Sequence, residues 1–306
     1  MPGMLERMTI ELTTLCNLRC VHCYQEHNPG DTMAADMALK LIEIADDLGI
    51  GEIVLTGGEP MLHPQFPAIY EEARKRGFIV RIFTNGLAIP PRNWPILEQM
   101  PPHEVEITIY GTTAQVLKTV TQRNVDLSVV RDNIGRFQGL GTPVHLKYHA
   151  MTVSKDDTGP FIEMAKELGC TWAINVSIIP MRNGDRAPLQ YRLDGDSVKE
   201  VERANNLDFL GKSMGEEDLR KCHLGEEIYI TAQGTLQGCV IFMGVTERLE
   251  IGDVKRQMLQ ISAAGDQIKQ VRNFNKGVCP AWLHLEGTKR VGDYLRSMGA
   301  DDLQNA

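Results

Sequence analysis

The stretch Glu11–Tyr24 reads ELTTLCNLRCVHCY. Its three cysteines, Cys16, Cys20 and Cys23, have the spacing C-x3-C-x2-C and directly follow a short alternating segment, Met8–Leu12, that reads as a strand. Three thiols this close can wrap one side of a compact soft-metal centre, and thiolate ligands select zinc or iron–sulfur clusters. A structural zinc ion asks for a fourth ligand. His22 lies inside the run, but its side chain does not easily join its neighbour Cys23 on one ion. Three thiolates on a four-iron cluster leave one iron open to chelate a small molecule. On spacing alone, a zinc knuckle or three buried thiols stay open as readings.

Downstream of this loop, strand-like and helix-like segments alternate. Ala34–Leu48 places Met37, Leu41, Ile44, Ala45 and Leu48 at helical spacing. Further strands are predicted at Glu52–Leu55, Phe78–Phe83, Glu104–Ile109, Pro143–His149 and Trp172–Ile179. Further helices are predicted near Phe66–Lys75, Asn93–Met100, Leu127–Leu140, Gly159–Leu168 and Asp196–Asn205. Strands that each lead into a helix imply an α/β fold with a parallel sheet and right-handed crossovers. That sheet is either open and doubly wound or an incomplete barrel. In both, chemistry belongs at the C-terminal ends of the strands.

The pattern changes after about residue 206. Asp208–Lys221 is polar, with two glycines, and reads as a linker. Glu227–Thr231 and Thr235–Ile241 look like a hairpin around Ala232–Gly234, and Val254–Arg272 looks helical. The expected organisation is therefore a core at 1–206, a linker at 207–220 and a smaller hairpin-plus-helix module at 221–306.

The chain has 306 residues and a formal net charge of −8, with no basic run, which speaks against nucleic acid or an anionic membrane as partner. No apolar leader and no stretch of membrane-spanning length stand out, so a cytoplasmic location is expected. Seven cysteines in a reducing compartment point to metal ligation or catalysis and away from disulfides.

CNLRCVHCY resembles the cluster loop of the radical SAM superfamily. The resemblance implies a (β/α)6 partial TIM barrel in which Cys16, Cys20 and Cys23 hold a [4Fe–4S] cluster. S-adenosylmethionine would chelate its fourth iron. Reductive cleavage would then give a 5′-deoxyadenosyl radical that takes a hydrogen atom from a substrate. The family usually has an aromatic residue near the adenine just before the third cysteine; His22 sits there, and Tyr24 is the neighbouring candidate.

Thr56–Pro60 reads TGGEP at the end of the second strand. Its two glycines allow close backbone approach or positive φ. It falls where the family's GGE motif binds the methionine amino group, which makes Gly57, Gly58, Glu59 and Pro60 cofactor-binding candidates. FTNG at Phe83–Gly86 brings Asn85 to the end of the third strand, and Thr108 and Tyr110 end the fourth. His145, Lys147 and His149 share one face of the fifth strand by the period of two, which suggests a cavity. Lys147 is expected to pair with the methionine carboxylate. Past the sixth strand, Arg182, Asp185 and Arg186 stand at the expected catalytic mouth. Tyr110, His149, Arg182 and Arg186 are the substrate-contact candidates.

Four cysteines remain. Cys170 precedes the sixth strand, at the end away from catalysis, and reads as a buried structural thiol. Cys222, Cys239 and Cys279 fall in the C-terminal module, where C-x11-G-x4-C resembles the start of a SPASM or twitch extension. That likeness implies one auxiliary [4Fe–4S] cluster, its fourth ligand being water, His223, His284 or the substrate.

The expected function is a radical SAM enzyme of natural-product biosynthesis or peptide maturation, served by a reducing partner such as flavodoxin or ferredoxin. A second reading is a twitch-type dehydrogenase, epimerase or sulfur-inserting enzyme acting on a sugar, aminoglycoside or nucleoside. No leader-binding domain is expected before the first strand. A two-cluster electron carrier or redox sensor is a reading of another class; TGGEP argues against it, because a carrier has no use for a ligand-chelating turn.

Overall fold

The computed structural model describes residues 5–26, 30–207, 226–238, 246–248, 250 and 253–274. The six predicted strands are all present: β1 (Arg7–Glu11), β2 (Glu52–Thr56), β3 (Ile79–Thr84), β4 (Glu104–Ile109), β5 (Val144–His149) and β6 (Thr171–Asn175). They pair in parallel in chain order. The crossovers are α1 (Ala35–Asp47), α2 (Phe66–Lys75), α3 (Trp94–Gln99), α4 (Ala114–Thr121), α5 (Leu127–Gly139) and α6 (Thr158–Glu167), with α7 (Gly195–Asn205) after β6. The strand order runs β6-β5-β4-β3-β2-β1 without the reversal that a doubly wound sheet requires, so the (β/α)6 partial barrel is the observed architecture.

Two elements depart from the sequence reading. Helix α4 was not expected. Its signal was Thr113, whose side chain caps the helix by accepting from Val116 N. The C-terminal hairpin, β7 (Glu227–Ile230) and β8 (Thr235–Gln237), forms as expected but joins the barrel sheet. β7 pairs in parallel with the free edge of β1, placing Thr9 opposite Tyr229, and β8 and β9 (Thr246–Arg248) follow antiparallel. The physical reason is that β1 would otherwise be a bare edge. Helix α8 (Val254–Phe274) covers this extension, burying Val254, Met258 and Ile261.

The period-two pattern divides the strands. One face carries Met8, Ile10, Ile53, Leu55, Val80, Ile82, Val105, Ile107, Leu146 and Tyr148, all buried against the helix layer. Truncating such a side chain to Ala costs about 2–5 kcal/mol. The other face points into the open barrel and is polar. The strand registers place Arg7 opposite Glu52 and Arg81 opposite Glu104. A charged ladder results: Arg7 Nε is 2.8 Å from Glu52, Arg81 lies 3.3 Å from Glu52 and 3.5 Å from Glu104, and Glu106 pairs with Lys147.

Candidate active site

A cavity of about 680 Å³ opens at the C-terminal ends of the strands, above this ladder. The cysteine loop forms one wall. Cys16 is exposed to it, Cys20 is buried and Cys23 is half-buried. Each sulfur is met by hydrogen-bond donors. Leu18 N lies 3.4 Å and Asn85 Nδ2 3.8 Å from Cys16 Sγ, the Tyr110 hydroxyl donates to Cys20, and Gln25 N donates to Cys23. Such donors favour the anionic form. Burial opposes them, pushing the Cys16 thiol up to about 12 and the other two upward as well. Thiolates made costly by burial gain most from cationic iron. Among the described residues no three His, Cys, Asp or Glu side chains close around a single ion. Three thiols on the wall of one cavity are a soft donor set of the kind that holds an iron–sulfur cluster.

The loop is held in place by the next strand. Gly58 N donates to Thr13 O at 2.7 Å and Glu59 N to Leu15 O at 2.8 Å. A Cβ on Gly57 would lie 2.4 Å from Thr13 O, and one on Gly58 would lie 2.5 Å from both Thr14 O and Leu15 O. The glycines of TGGEP are thus demanded by the backbone of the cysteine loop, while both also line the cavity. Neither needs positive φ.

Glu59 is fully buried and turned away from the cavity. Its carboxylate accepts from Thr84 Oγ1 at 2.8 and 2.9 Å, from Asn85 N at 2.9 Å and from Met61 N at 3.3 Å. It ties the TGGEP turn to the FTNG turn. Burial outweighs these bonds and pushes its pKa up to about 7. Pro60 is buried in the short 3-10 turn that follows. Asn85 lines the cavity and donates to Asn17 Oδ1 at 2.7 Å.

The expected cavity-facing row is largely present. Thr108, Tyr110, Lys147 and His149 line the cavity, as do His22 and Tyr24. His145 sits lower and contacts Thr171 Oγ1 at 2.9 Å. Lys147 pairs with Glu106, and its Nζ lies 3.9 Å from the Phe83 ring centroid. The ring centroids of His22 and His149 are 4.8 Å apart, and Tyr110 lies 5.9 Å from His22. Burial and the charge of Lys147 push His149 down to about 4, so its imidazole is neutral at pH 7. Its Nδ1 is buried without a hydrogen-bond partner.

The arginines after β6 do not line the cavity. Arg182 points to β1, pairing with Glu11, and Arg186 is exposed; neither is among the residues lining the cavity. Asp185 is exposed and accepts from Ala187 N. Cys170 is buried at the start of β6, its thiol 3.6 Å from Leu168 O, as a structural thiol should be. Cys222, Cys239 and Cys279 lie outside the described residues. Sequence reasoning missed Thr9, Gln25, Arg123, Glu227 and Tyr229, which line the cavity. For Thr9, Glu227 and Tyr229 the signal was strand alternation, but it becomes readable only once β7 is known to pair with β1.

Three thiols on the wall of a cavity at the C-terminal strand ends of an open parallel barrel define a candidate metal-cluster site. The chain belongs to the Radical SAM superfamily, whose family profile matches residues 10–168. Membership implies a [4Fe–4S] cluster and S-adenosylmethionine. The probable GTP 3′,8-cyclase of Saccharolobus islandicus (strain M.14.25 / Kamchatka #1) is 23% identical over 222 residues, 72% of this chain and 69% of that protein. The GTP 3′,8-cyclase of Chlorobaculum tepidum is 29% identical over 168 residues, 52% of this chain and 49% of that protein. Among solved structures, Streptococcus suis SuiB bound to S-adenosylmethionine is similar at a TM-score of 0.64 and 14% identity, covering 81% of this chain and 63% of SuiB. Native anSMEcpe with bound AdoMet and the Cp18Cys peptide is similar at 0.68 and 13%, covering 89% of this chain and 83% of that one. At such identities these structures share the fold. No helix among the described residues is long and apolar enough to cross a membrane.

Proposed function

We propose that this enzyme binds S-adenosylmethionine against a [4Fe–4S] cluster held by Cys16, Cys20 and Cys23, and abstracts a hydrogen atom from a peptide or small-molecule substrate in the same cavity. The observation that carries the reading is that each of the three thiols is met by a hydrogen-bond donor at the rim of one large cavity. When bound, the reduced cluster would supply the one electron that breaks the C5′–S bond of S-adenosylmethionine, giving methionine and a 5′-deoxyadenosyl radical. The chain's own part is binding and orientation. Gly57 and Gly58 bring backbone to the cavity wall, Asn85 and Thr108 bring polar side chains, and His22 and Tyr110 bring aromatic rings. Lys147, already paired with Glu106, would have to share its charge to hold the methionine carboxylate.

Two substrate readings have support. The SuiB and anSMEcpe folds, both solved with bound peptides, favour a peptide and a role in natural-product or peptide maturation. The named cyclase relatives favour a small molecule. Cys222, Cys239 and Cys279 are proposed ligands of a second [4Fe–4S] cluster in a SPASM- or twitch-like module, and a flavodoxin or ferredoxin is the proposed reductant. Oxidation, crosslinking and epimerisation all remain within this chemistry.

The test is anaerobic reconstitution with iron and sulfide, then reduction with S-adenosylmethionine. The wild type should release 5′-deoxyadenosine, and a Cys16→Ala/Cys20→Ala/Cys23→Ala variant none. Intact clusters without that product would sink the enzyme reading. Two clusters require about eight irons per chain and one requires about four.

A further inference from the structure

Arg182 stands on the loop after β6, yet it reaches both ends of the cysteine loop. Its Nη2 lies 2.7 Å from Glu11 Oε2, where β1 runs into that loop. Its backbone N–H donates to Tyr24 O at 2.9 Å, one residue past Cys23. The same Nη2 donates at 3.0 Å to the Tyr229 hydroxyl, which itself donates to Glu11 Oε2 at 2.8 Å and lies 3.2 Å from the Tyr24 hydroxyl. The guanidinium sits 5.0 Å from the Tyr24 ring centroid and 5.3 Å from that of Tyr229. One side chain therefore joins β1, the end of the cysteine loop, the β6 loop and the C-terminal strand β7.

The charges are as informative as the distances. Glu11 is fully buried, and Arg182 is its one ion-pair partner among the described residues. Its second oxygen, Oε1, has no hydrogen-bond partner. A buried carboxylate so placed is tolerable only with its cation present. Both charges also act on Cys23, Glu11 against the thiolate and Arg182 for it. The pair is thus close enough to set the potential felt by whatever Cys23 binds.

We infer that Arg182 is a positioning residue. It clamps the cysteine loop from the third-cysteine side and offsets the charge of Glu11 beside the cluster. The inference rests on the proposed cluster at Cys16, Cys20 and Cys23.

The test compares wild type, Arg182→Met, Arg182→Lys, Glu11→Gln and the Arg182→Met/Glu11→Gln double variant. All are reconstituted anaerobically without S-adenosylmethionine. Three quantities are read: iron per chain, the rate of iron loss to a ferrous chelator, and the cluster midpoint potential. Removing the cation should shift the potential negative, and removing the anion should shift it positive. The double variant should return near the wild-type potential yet lose iron several-fold faster, because the clamp is gone. Arg182→Lys should restore the potential. Wild-type potential and iron loss in Arg182→Met would overturn the inference. If Arg182→Met does not fold, Glu11→Gln decides: no positive shift overturns it equally. A wild type that binds no iron would instead refute the functional reading, and this inference with it.

Discussion

Both carboxylate oxygens of Glu59 lie within 2.9 Å of Thr84 Oγ1, so the acid of TGGEP is spent on the neighbouring turn and not on the cavity. Burial makes its charge costly, and its pKa rises to about 7 from the 4.5 of a free glutamate. Between those values the folded state holds a proton that the unfolded chain has lost. The contribution of Glu59 to stability therefore falls as pH rises from about 4.5 to 7, by roughly 3 kcal/mol for a shift of this size. Glu59→Gln should lose that dependence, and denaturant melts of both proteins across this range will show it. Parallel curves would contradict the assignment.

The glycines of the same turn make a second prediction. Gly58→Ala forces a Cβ against Thr14 O and Leu15 O, which are backbone atoms that cannot swing aside. The cost is about 1–3 kcal/mol of overpacking. The displaced loop should also hold less iron after reconstitution. A control such as Gly139→Ala, where a Cβ meets nothing within 4 Å, should bind iron as the wild type does. Equal iron in both variants would remove the proposed link between turn and cluster loop.

His149 titrates in the opposite sense. Its folded pKa is pushed down to about 4, below the 6.5 of a free histidine. Between those values the unfolded chain binds the extra proton, so stability is lost as pH falls through this window, by up to about 3 kcal/mol. Because Glu59 acts oppositely over much of the same range, the wild-type profile is flattened. The His149→Gln protein should show a steeper gain in stability on acidification. A neutral imidazole, unpartnered at Nδ1, is also suited to accept a hydrogen bond from substrate.

Much of this was legible beforehand. The strand–helix alternation located every barrel strand to within a residue or two, except the end of β6, because period-two and period-3.6 patterns are local. The cysteine loop and TGGEP were readable as motifs, and their placement on successive strand ends follows from the fold. What local patterns do not encode is pairing between distant segments. The parallel match of β1 with β7 joins residues 218 apart, as in Thr9 with Glu227, and it decides which face Tyr229 shows. That Arg182 turns to Glu11 is not readable locally, because its buried partner sits on another strand. TGGEP alone points Glu59 at a ligand, because its actual partner, Thr84, lies in a separate turn. Each of these differences is a tertiary pairing.

The central claim is that the cluster at Cys16, Cys20 and Cys23 keeps one iron open for S-adenosylmethionine. The direct measurement is the electron paramagnetic resonance spectrum of the anaerobically reduced protein, with Cys222, Cys239 and Cys279 replaced by alanine, before and after adding S-adenosylmethionine. The account predicts a [4Fe–4S]⁺ signal whose g-values shift on addition. A cluster signal unchanged by saturating S-adenosylmethionine, or no cluster signal in a folded protein, would contradict it.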